Sequence, residues 1–405
     1  MILIKNGKVI DGISQDIQVL DILIDGDKII DVSKNIDIDQ CLVIDASQNY
    51  VSPALIDIHT HLRIGNEEAE DFLSFTKAAL HGGVGSVVVM PNTKPPLDNI
   101  DILKKICYES KNYPLNFFFA ATLTKKREGI EINDFDSVAD FVVAFSDDGS
   151  WVIDLDVMKD ALIKAKTLNK AVLSHSQING DFRDPSTEYL AVKRDIKLAE
   201  NFLQIHFQHI TSKKSVDLIK EAKKINNLIT SETCPHYFWF TKDNENNDPD
   251  FKMNPPLREL SDINSIIKAI DDDTIDVIAT DHAPHTEISK SVSFDKAPYG
   301  VIGLETLLSA TLTKLVIEKG ISITKVIKKM TSVPASICGI EKRGCIKKGY
   351  YADIIIFDLN KKWKIRKENF LSKSSNSPFK GMELNGVVLK TIINGKIVYD
   401  GRFFI

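Results

Sequence analysis

The chain is predicted to be an α/β protein, a (β/α)8 TIM-type barrel with a small β-sandwich domain formed from both chain ends. Three observations lead there. Eight strand-sized apolar runs succeed one another through the middle of the sequence, and eight is the closure number of such a barrel. Helical stretches separate most of them, the order expected of β/α units around a parallel sheet. The two ends carry short β-rich text with turn signals, which suggests that they build one sheet domain together.

In chain order, residues 1–52 read as hairpins: "MILIKNGKVIDG", "DILIDGDKIIDV" and "CLVIDASQNYVSP". The barrel, residues 53–340, takes its strands from "ALIDIH", "SVVVMP", "NFFFAATL", "DFVVAFS", "AVLSH", "QIHFQHI", "LITSETC" and "DVIATD". Helices are expected at "EDFLSFTKAALHGG", "DVMKDALIKAKTLNK", "TEYLAVKRDIKLAENF" and "KKSVDLIKEAKKINN". Between Phe240 and Leu257 a polar loop is long for its place, and loops of that length are often functional. Residues 341–405 return to hairpin text in "KKGYYADIIIFDL" and "VLKTIINGKIVYDGRFF", with Asn394-Gly395 as a strong turn dipeptide.

Composition narrows the function. With 405 residues and 43% hydrophobic content the chain can bury a large core. Lys plus Arg number 51 against 56 Asp plus Glu, a net charge of −5, so no global positive field is present for nucleic acid or an anionic membrane. The apolar runs fall short of the roughly 20 residues that span a bilayer, and the amino terminus reads as strand and turn, not as a signal peptide. A cytoplasmic enzyme acting on a small molecule is expected. The five cysteines are scattered without a Cys-x-x-Cys pair, so any metal should use nitrogen and oxygen ligands.

The stretch "LIDIHTHLR" sets His59, His61 and Arg63 at two-residue spacing, which puts them on one side of a strand. Alone, a His-x-His is more often a surface pair. Here the other polar candidates also follow the carboxyl ends of the expected strands: Asn92 after strand two, Asp147 and Asp148 after strand four, His175 after strand five, His209 after strand six, and Asp281, His282 and His285 after strand eight. That rim is where barrel active sites form. Imidazoles and carboxylates without thiolates suit zinc or a similar divalent ion, and four histidines with two aspartates exceed one tetrahedral ion. Two metals fit better.

Taken together, "VSPALIDIHTHLR", "VVMPNT", "AFSDDGSW", "KMNPPLR", "IATDHAPH", "GVIGLETLL", "TSVPASICGI", "KKGYYADIIIFD" and "SPFKGMELNGVVLKTIINGKIVY" resemble, in order and over essentially the whole chain, the class I dihydroorotases of the amidohydrolase superfamily. The resemblance implies reversible hydrolysis of (S)-dihydroorotate to N-carbamoyl-L-aspartate in pyrimidine (UMP) biosynthesis. It implies two divalent ions, zinc by family habit, with His59 and His61 on the more buried ion and His175 and His209 on the other. Asp148 would bridge them, and Asp281 would bind the first ion and shuttle a proton. Arg63, Asn92 and Asn254 would hold the substrate carboxylate, with His285 closing on the ring side. A homodimer and an aspartate transcarbamoylase are the macromolecular partners to consider.

Two departures stand out. Ile64, Gly65 and Asn66 replace the usual Glu-Pro-Gly after the arginine, and Ser176, Gln177 and Ile178 stand where a Glu-Asp pair usually follows the strand-five histidine. Many cousins bridge their metals with a carboxylated lysine, which "AFSDDG" lacks, and this favours the Asp-bridged group. The alternatives are another cyclic amidase, hydantoinase or allantoinase, and a silent homologue that scaffolds a transcarbamoylase. Among single residues, Asp147 is the fallback bridge, Asp147 and Asp148 could both be turn formers ahead of Gly149, and Arg63 has a structural ion pair as its alternative. Three residues from His209, His206 should face the opposite side as a packed histidine. His236 and His282 read as supporting or structural, His81 as surface.

Overall fold

Continuous apolar runs that are too short to alternate become parallel strands buried on both faces. In the computed structural model, which describes residues 1–178, 183–201 and 203–401, every one of the eight runs forms such a strand. Five strands precede them: β1 (Ile2–Val9), β2 (Gln18–Asp25), β3 (Lys28–Ser33), β4 (Leu42–Asp45) and β5 (Tyr50–Pro53). The barrel strands are β6 (Leu55–Thr60), β7 (Val84–Val89), β8 (Asn116–Ala121), β9 (Ala144–Phe145), β10 (Ala171–Ser174), β11 (Ile205–Phe207), β12 (Ile229–Thr233) and β13 (Val277–Ile278). They pair in sequence order, all parallel. Three strands follow: β14 (Ile354–Lys364), β15 (Glu383–Ile393) and β16 (Lys396–Tyr399). The last expected run extends to Phe404, and its residues from 402 on lie outside the described residues.

Helices start where side chains satisfy their free N–H groups. Asp71 caps Phe72–His81 through Ser74 N, Asp154 caps Leu155–Thr167, and Ser212 caps Lys213–Lys223. The long polar loop after β12 holds two short 3-10 turns, Lys242–Asn244 and Pro249–Phe251. Among the described residues no helix is long and apolar enough to cross a membrane.

The chain ends meet in one mixed sheet of order β16-β15-β14-β5-β1-β2-β3, with β4 beside β1. Ile354–Phe357 of β14 run antiparallel to Tyr50–Pro53, which joins the two halves. Ile4, Ile22, Ile24, Val51, Ile354 and Ile392 form the core of this sheet. The Asn394-Gly395 turn forms as expected, with Gly395 at φ 73°, and a Cβ there would overlap the Gly26 carbonyl. Asp353 ties the sheet to the barrel by accepting from Asn394 N at 2.7 Å and Asn116 Nδ2 at 3.1 Å.

Between β13 and β6 the barrel seam is closed by an isolated bridge from Thr60 to His282, with His61 N donating to His282 O at 2.9 Å. A fully buried carboxylate reinforces it. Asp57 accepts from Thr280 N at 3.2 Å, from Thr280 Oγ1 at 2.5 Å and from His59 N at 3.2 Å. Replacing it strands three buried donors, so Asp57→Ala should lower folding stability by about 2–4 kcal/mol. Thermal denaturation checks this, and an unchanged midpoint would show that the seam does not depend on Asp57.

Candidate metal centre

The "HTH" histidines reach the barrel interior through a break in strand regularity. Ile56 and Ile58 belong to an apolar layer with Val88 and Leu173, so strict alternation would turn His59 outward. Between Asp57 and Thr60, however, β6 takes three steps against two on β7. This bulge resets the phase and brings His59 and His61 to the interior, the re-aiming that bulges often perform beside active sites. His175 lies just past β10, two residues after the inward Leu173. His209 and Asp281 sit beyond their strands with φ of 36° and 49°, left-handed values costly for residues with a Cβ.

Two triads result. The ligand atoms of His59, His61 and Asp281 lie within 4.8 Å of one another, as do those of Asp148, His175 and His209. Asp148 joins them: its Oδ1 is 3.2 Å from His59 Nε2 and 3.4 Å from His175 Nδ1, and its Oδ2 is 3.5 Å from His61 Nε2. Asp281 Oδ1 is 2.9 Å from His61 Nε2 and 3.5 Å from His59 Nε2. His209 Nε2 faces His175 Nδ1 at 2.8 Å. All six residues are buried.

Electrostatics test whether cations fit. Burial alone would depress the His59 pKa, but Glu232, Asp281 and Asp148 overcome it and hold the imidazole well above its ordinary value. Burial would raise the two aspartates, yet His59 and its neighbours hold Asp148 well below the usual carboxylate range and Asp281 at about 2. Burial and the neighbouring His175 and His59 push His209 down to about 3, the neutral form that binds metal. His59 Nε2 is buried without a hydrogen-bond partner between two carboxylates. A neutral imidazole at His209, ionised carboxylates and this orphaned nitrogen make a donor set that suits divalent cations once His59 gives up its proton.

The supporting contacts were only partly legible in the sequence. Glu232 on β12, fully buried and held at about 2 once His59 and His206 overcome its burial, was missed. Its Oε1 takes His59 Nδ1 at 2.5 Å and its Oε2 takes His206 Nε2 at 3.1 Å, the carboxylate–histidine pairing that orients metal ligands. The available signal was a lone acid in an otherwise uncharged strand, "LITSETC". His206 is packed as expected but does not face away, because it shares Glu232 with His59; alternation fails since His209 has already left β11. Asp147 is the structural member of its pair, accepting from Leu123 N at 2.8 Å and Thr124 N at 3.1 Å. His282 is structural as expected, with Gly303 N donating to its Nδ1 at 3.1 Å. His81 is not plain surface: it pairs with Glu305 at 2.6 Å. His236 is buried beside Tyr237 with its Nε2 unpartnered, and burial lowers it to about 4.

A cavity of about 240 Å³ opens above the triads, and Arg63, Asn92 and Asn254 line it. Arg63 Nε donates to Pro284 O at 2.9 Å, and among the described residues no carboxylate pairs with it. Asn92 is engaged at both ends of its amide, with Oδ1 on His61 Nδ1 at 2.8 Å and Nδ2 on Asp148 Oδ2 at 3.0 Å. Asn254 Oδ1 is buried with no donor. His285 sits beside Arg63 at 3.4 Å, while its Nε2 meets Tyr299 O at 2.7 Å. Since that contact requires Nε2–H, the imidazole cannot also accept from Arg63, and burial with the nearby guanidinium lowers it to about 3. Tyr299 and Gly300, which also line the cavity, were not foreseen. At the departure after His175, Gln177 is buried with both amide atoms unpartnered.

Known proteins resemble this chain in sequence and in fold. The amidohydrolase family model matches residues 50–398. A dihydroorotase of Clostridium acetobutylicum is 40% identical over 425 aligned positions, covering 99% of this chain and all of the relative. A dihydroorotase of Clostridioides difficile is 38% identical over 99% of the chain and all of the relative. Among solved structures, an L-hydantoinase from Arthrobacter aurescens superposes with a TM-score of 0.90 at 21% identity, over 100% of this chain and 97% of that one. A dihydropyrimidinase from Brevibacillus agri gives 0.88 at 24% identity, over 100% and 96%; at such identities the likeness speaks for the fold. With its rim of histidines and aspartates on an eight-stranded barrel, and with near-full-length likeness to dihydroorotases, the chain belongs to the amidohydrolase family.

Proposed function

We propose that the protein is a dihydroorotase that hydrolyses the ring amide of (S)-dihydroorotate to N-carbamoyl-L-aspartate, reversibly, with two divalent ions, zinc in our reading. The observation that carries it is the pairing, around one small cavity, of two His/His/Asp triads joined through Asp148 with a guanidinium, Arg63, that meets no carboxylate among the described residues. The triads suit amide hydrolysis. The guanidinium suits a substrate that is itself a carboxylate. When bound, the ions would polarise the scissile carbonyl and lower the pKa of a water.

The remaining work falls to the chain's own side chains. His59, His61 and Asp281 would hold one ion and His175 and His209 the other, with Asp148 within reach of both sets. Asn92 fixes the rotamers of His61 and Asp148 through its two amide ends. Arg63 binds the substrate carboxylate, and His285 closes the cavity beside it. Asn254, whose buried Oδ1 lacks a donor, takes a ring N–H in our assignment, where the family resemblance implied a carboxylate contact. Asp281, ionised at neutral pH, accepts a proton from the attacking water and delivers it to the departing ring nitrogen. Ring closure runs the same transfer backwards.

An assay of ring opening on dihydroorotate, hydantoin and allantoin with the metal-loaded enzyme tests the reading. Turnover of dihydroorotate well above the other two is expected, and preference for hydantoin or allantoin would replace it with another cyclic amidase. No turnover of any cyclic amide with metals bound would favour a scaffold. Asp281→Asn should lower turnover by roughly 100- to 10,000-fold in both directions while the metals stay bound, and near-wild-type rates would reassign the proton path. Arg63→Lys keeps the charge but loses the planar fork, and should raise the KM for dihydroorotate by about tenfold or more; a KM within about twofold would remove Arg63 from the carboxylate.

Metal uptake should release protons. Without a cation, His59 carries a proton at neutral pH because its pKa is raised, and a metal must displace it. Loading apo-protein at pH 7 should therefore release about one proton per chain, and affinity should fall as pH falls. Calorimetry in buffers of different ionisation enthalpy measures this; a heat independent of buffer would contradict it.

A further inference from the structure

Two buried lysines stand over the site without touching any of its candidate ligands. Lys252 lies in the polar loop after β12, and Lys290 ends the short helix Glu287–Lys290 in the segment after β13; their exposures are 6% and 7%. A buried ammonium is costly unless compensated, and among the described residues neither pairs with a carboxylate. Instead each donates to backbone carbonyls of the other's loop. Lys252 Nζ donates to Phe294 O at 2.7 Å and to Asp295 O at 2.8 Å. Lys290 Nζ donates to Pro249 O at 2.8 Å and to Lys252 O at 3.3 Å. Lys252 O also accepts from Gly300 N at 2.9 Å, and its ammonium lies 4.6 Å from the centre of the Tyr299 ring.

The loops so joined carry cavity-lining residues: Asn254 is two positions beyond Lys252, and Tyr299 and Gly300 end the other segment. The base of that segment is closed separately. Asn376, from the region between β14 and β15, donates to Ala283 O at 3.2 Å and Gly300 O at 3.0 Å, and accepts from His285 N at 3.2 Å. The lysines therefore hold the part of the segment that Asn376 does not reach.

We propose that Lys252 and Lys290 are positioning residues for substrate, a reciprocal clasp that locks the two loops into one roof and fixes Asn254 and Tyr299 over the cavity. The clasp spares the substrate the entropy of ordering two independent loops, so its effect falls on binding. The substrate named here rests on the dihydroorotase reading; the clasp itself does not.

Lys252→Met and Lys290→Met keep the aliphatic stem and remove the ammonium. Each should raise the KM for dihydroorotate by about tenfold or more, with kcat within about threefold and metal content unchanged. Hydrogen exchange of the peptide containing Phe294 and Asp295 should accelerate in both variants. A merely structural role would lower thermal stability without splitting KM from kcat. Unchanged KM together with unchanged exchange would overturn the proposal, as would a loss confined to kcat. If Lys252→Met fails to fold, Lys290→Met carries the same test. A wild type inactive on dihydroorotate would sink the functional reading alone, because the exchange measurement still reads the clasp.

Discussion

Three ionised carboxylates, Asp148, Asp281 and Glu232, share a buried space a few ångströms across, and the whole rim is arranged around that constraint. Like charges at such range in a poorly solvated interior repel strongly, so positive charge must stand among them. In the polypeptide alone His59 supplies it, wedged between all three with its pKa raised. Divalent ions would supply it more fully and free the imidazole to ligate. The same carboxylates that repel one another in the polypeptide would attract such ions.

Glu232 shows how the barrel prepares this. It lies on β12, two strands from β6 around the closed barrel, and reaches His59 Nδ1 so that Nε2 points toward Asp148 and Asp281. Its other oxygen holds His206, and His209 N lies 3.4 Å from Oε1. One side chain thus couples three strands to the orientation of one ligand. Asn92 performs a similar service for His61 and Asp148 from β7's loop. Ligands held by such partners keep their rotamers before any ion arrives, which lowers the entropy cost of binding.

The segment between β14 and β15 is also part of the active rim, although it belongs by sequence to the far end of the chain. Ser372 bonds Glu70, Ser374 Oγ donates to Ala69 O at 2.7 Å, and Asn376 braces the loop after β13. Glu70 in turn faces His282 at 3.4 Å, next to Asp281. The sheet built from both chain ends therefore does more than cover the barrel, since the chain leaving it steadies two of the loops that shape the cavity.

Much of this was readable from the sequence because its causes are local. Strand-sized apolar runs separated by amphipathic helices predict the barrel, and all eight runs became strands. The position of a polar residue just after such a run predicts the rim, and His59, His61, Asp148, His175, His209 and Asp281 come together there. What the tertiary structure decided depends on partners far apart in the chain. The bulge that turns His59 inward is a mismatch between β6 and β7, invisible in either strand alone. The choice of Asp148 over Asp147 was made by Thr124 and Leu123, which occupy Asp147. His206 and His209 both turn to the site because strand alternation holds only while the strand lasts, and β11 ends at Phe207. Periodicity assigns a face to a side chain, but only the closed barrel decides which faces meet.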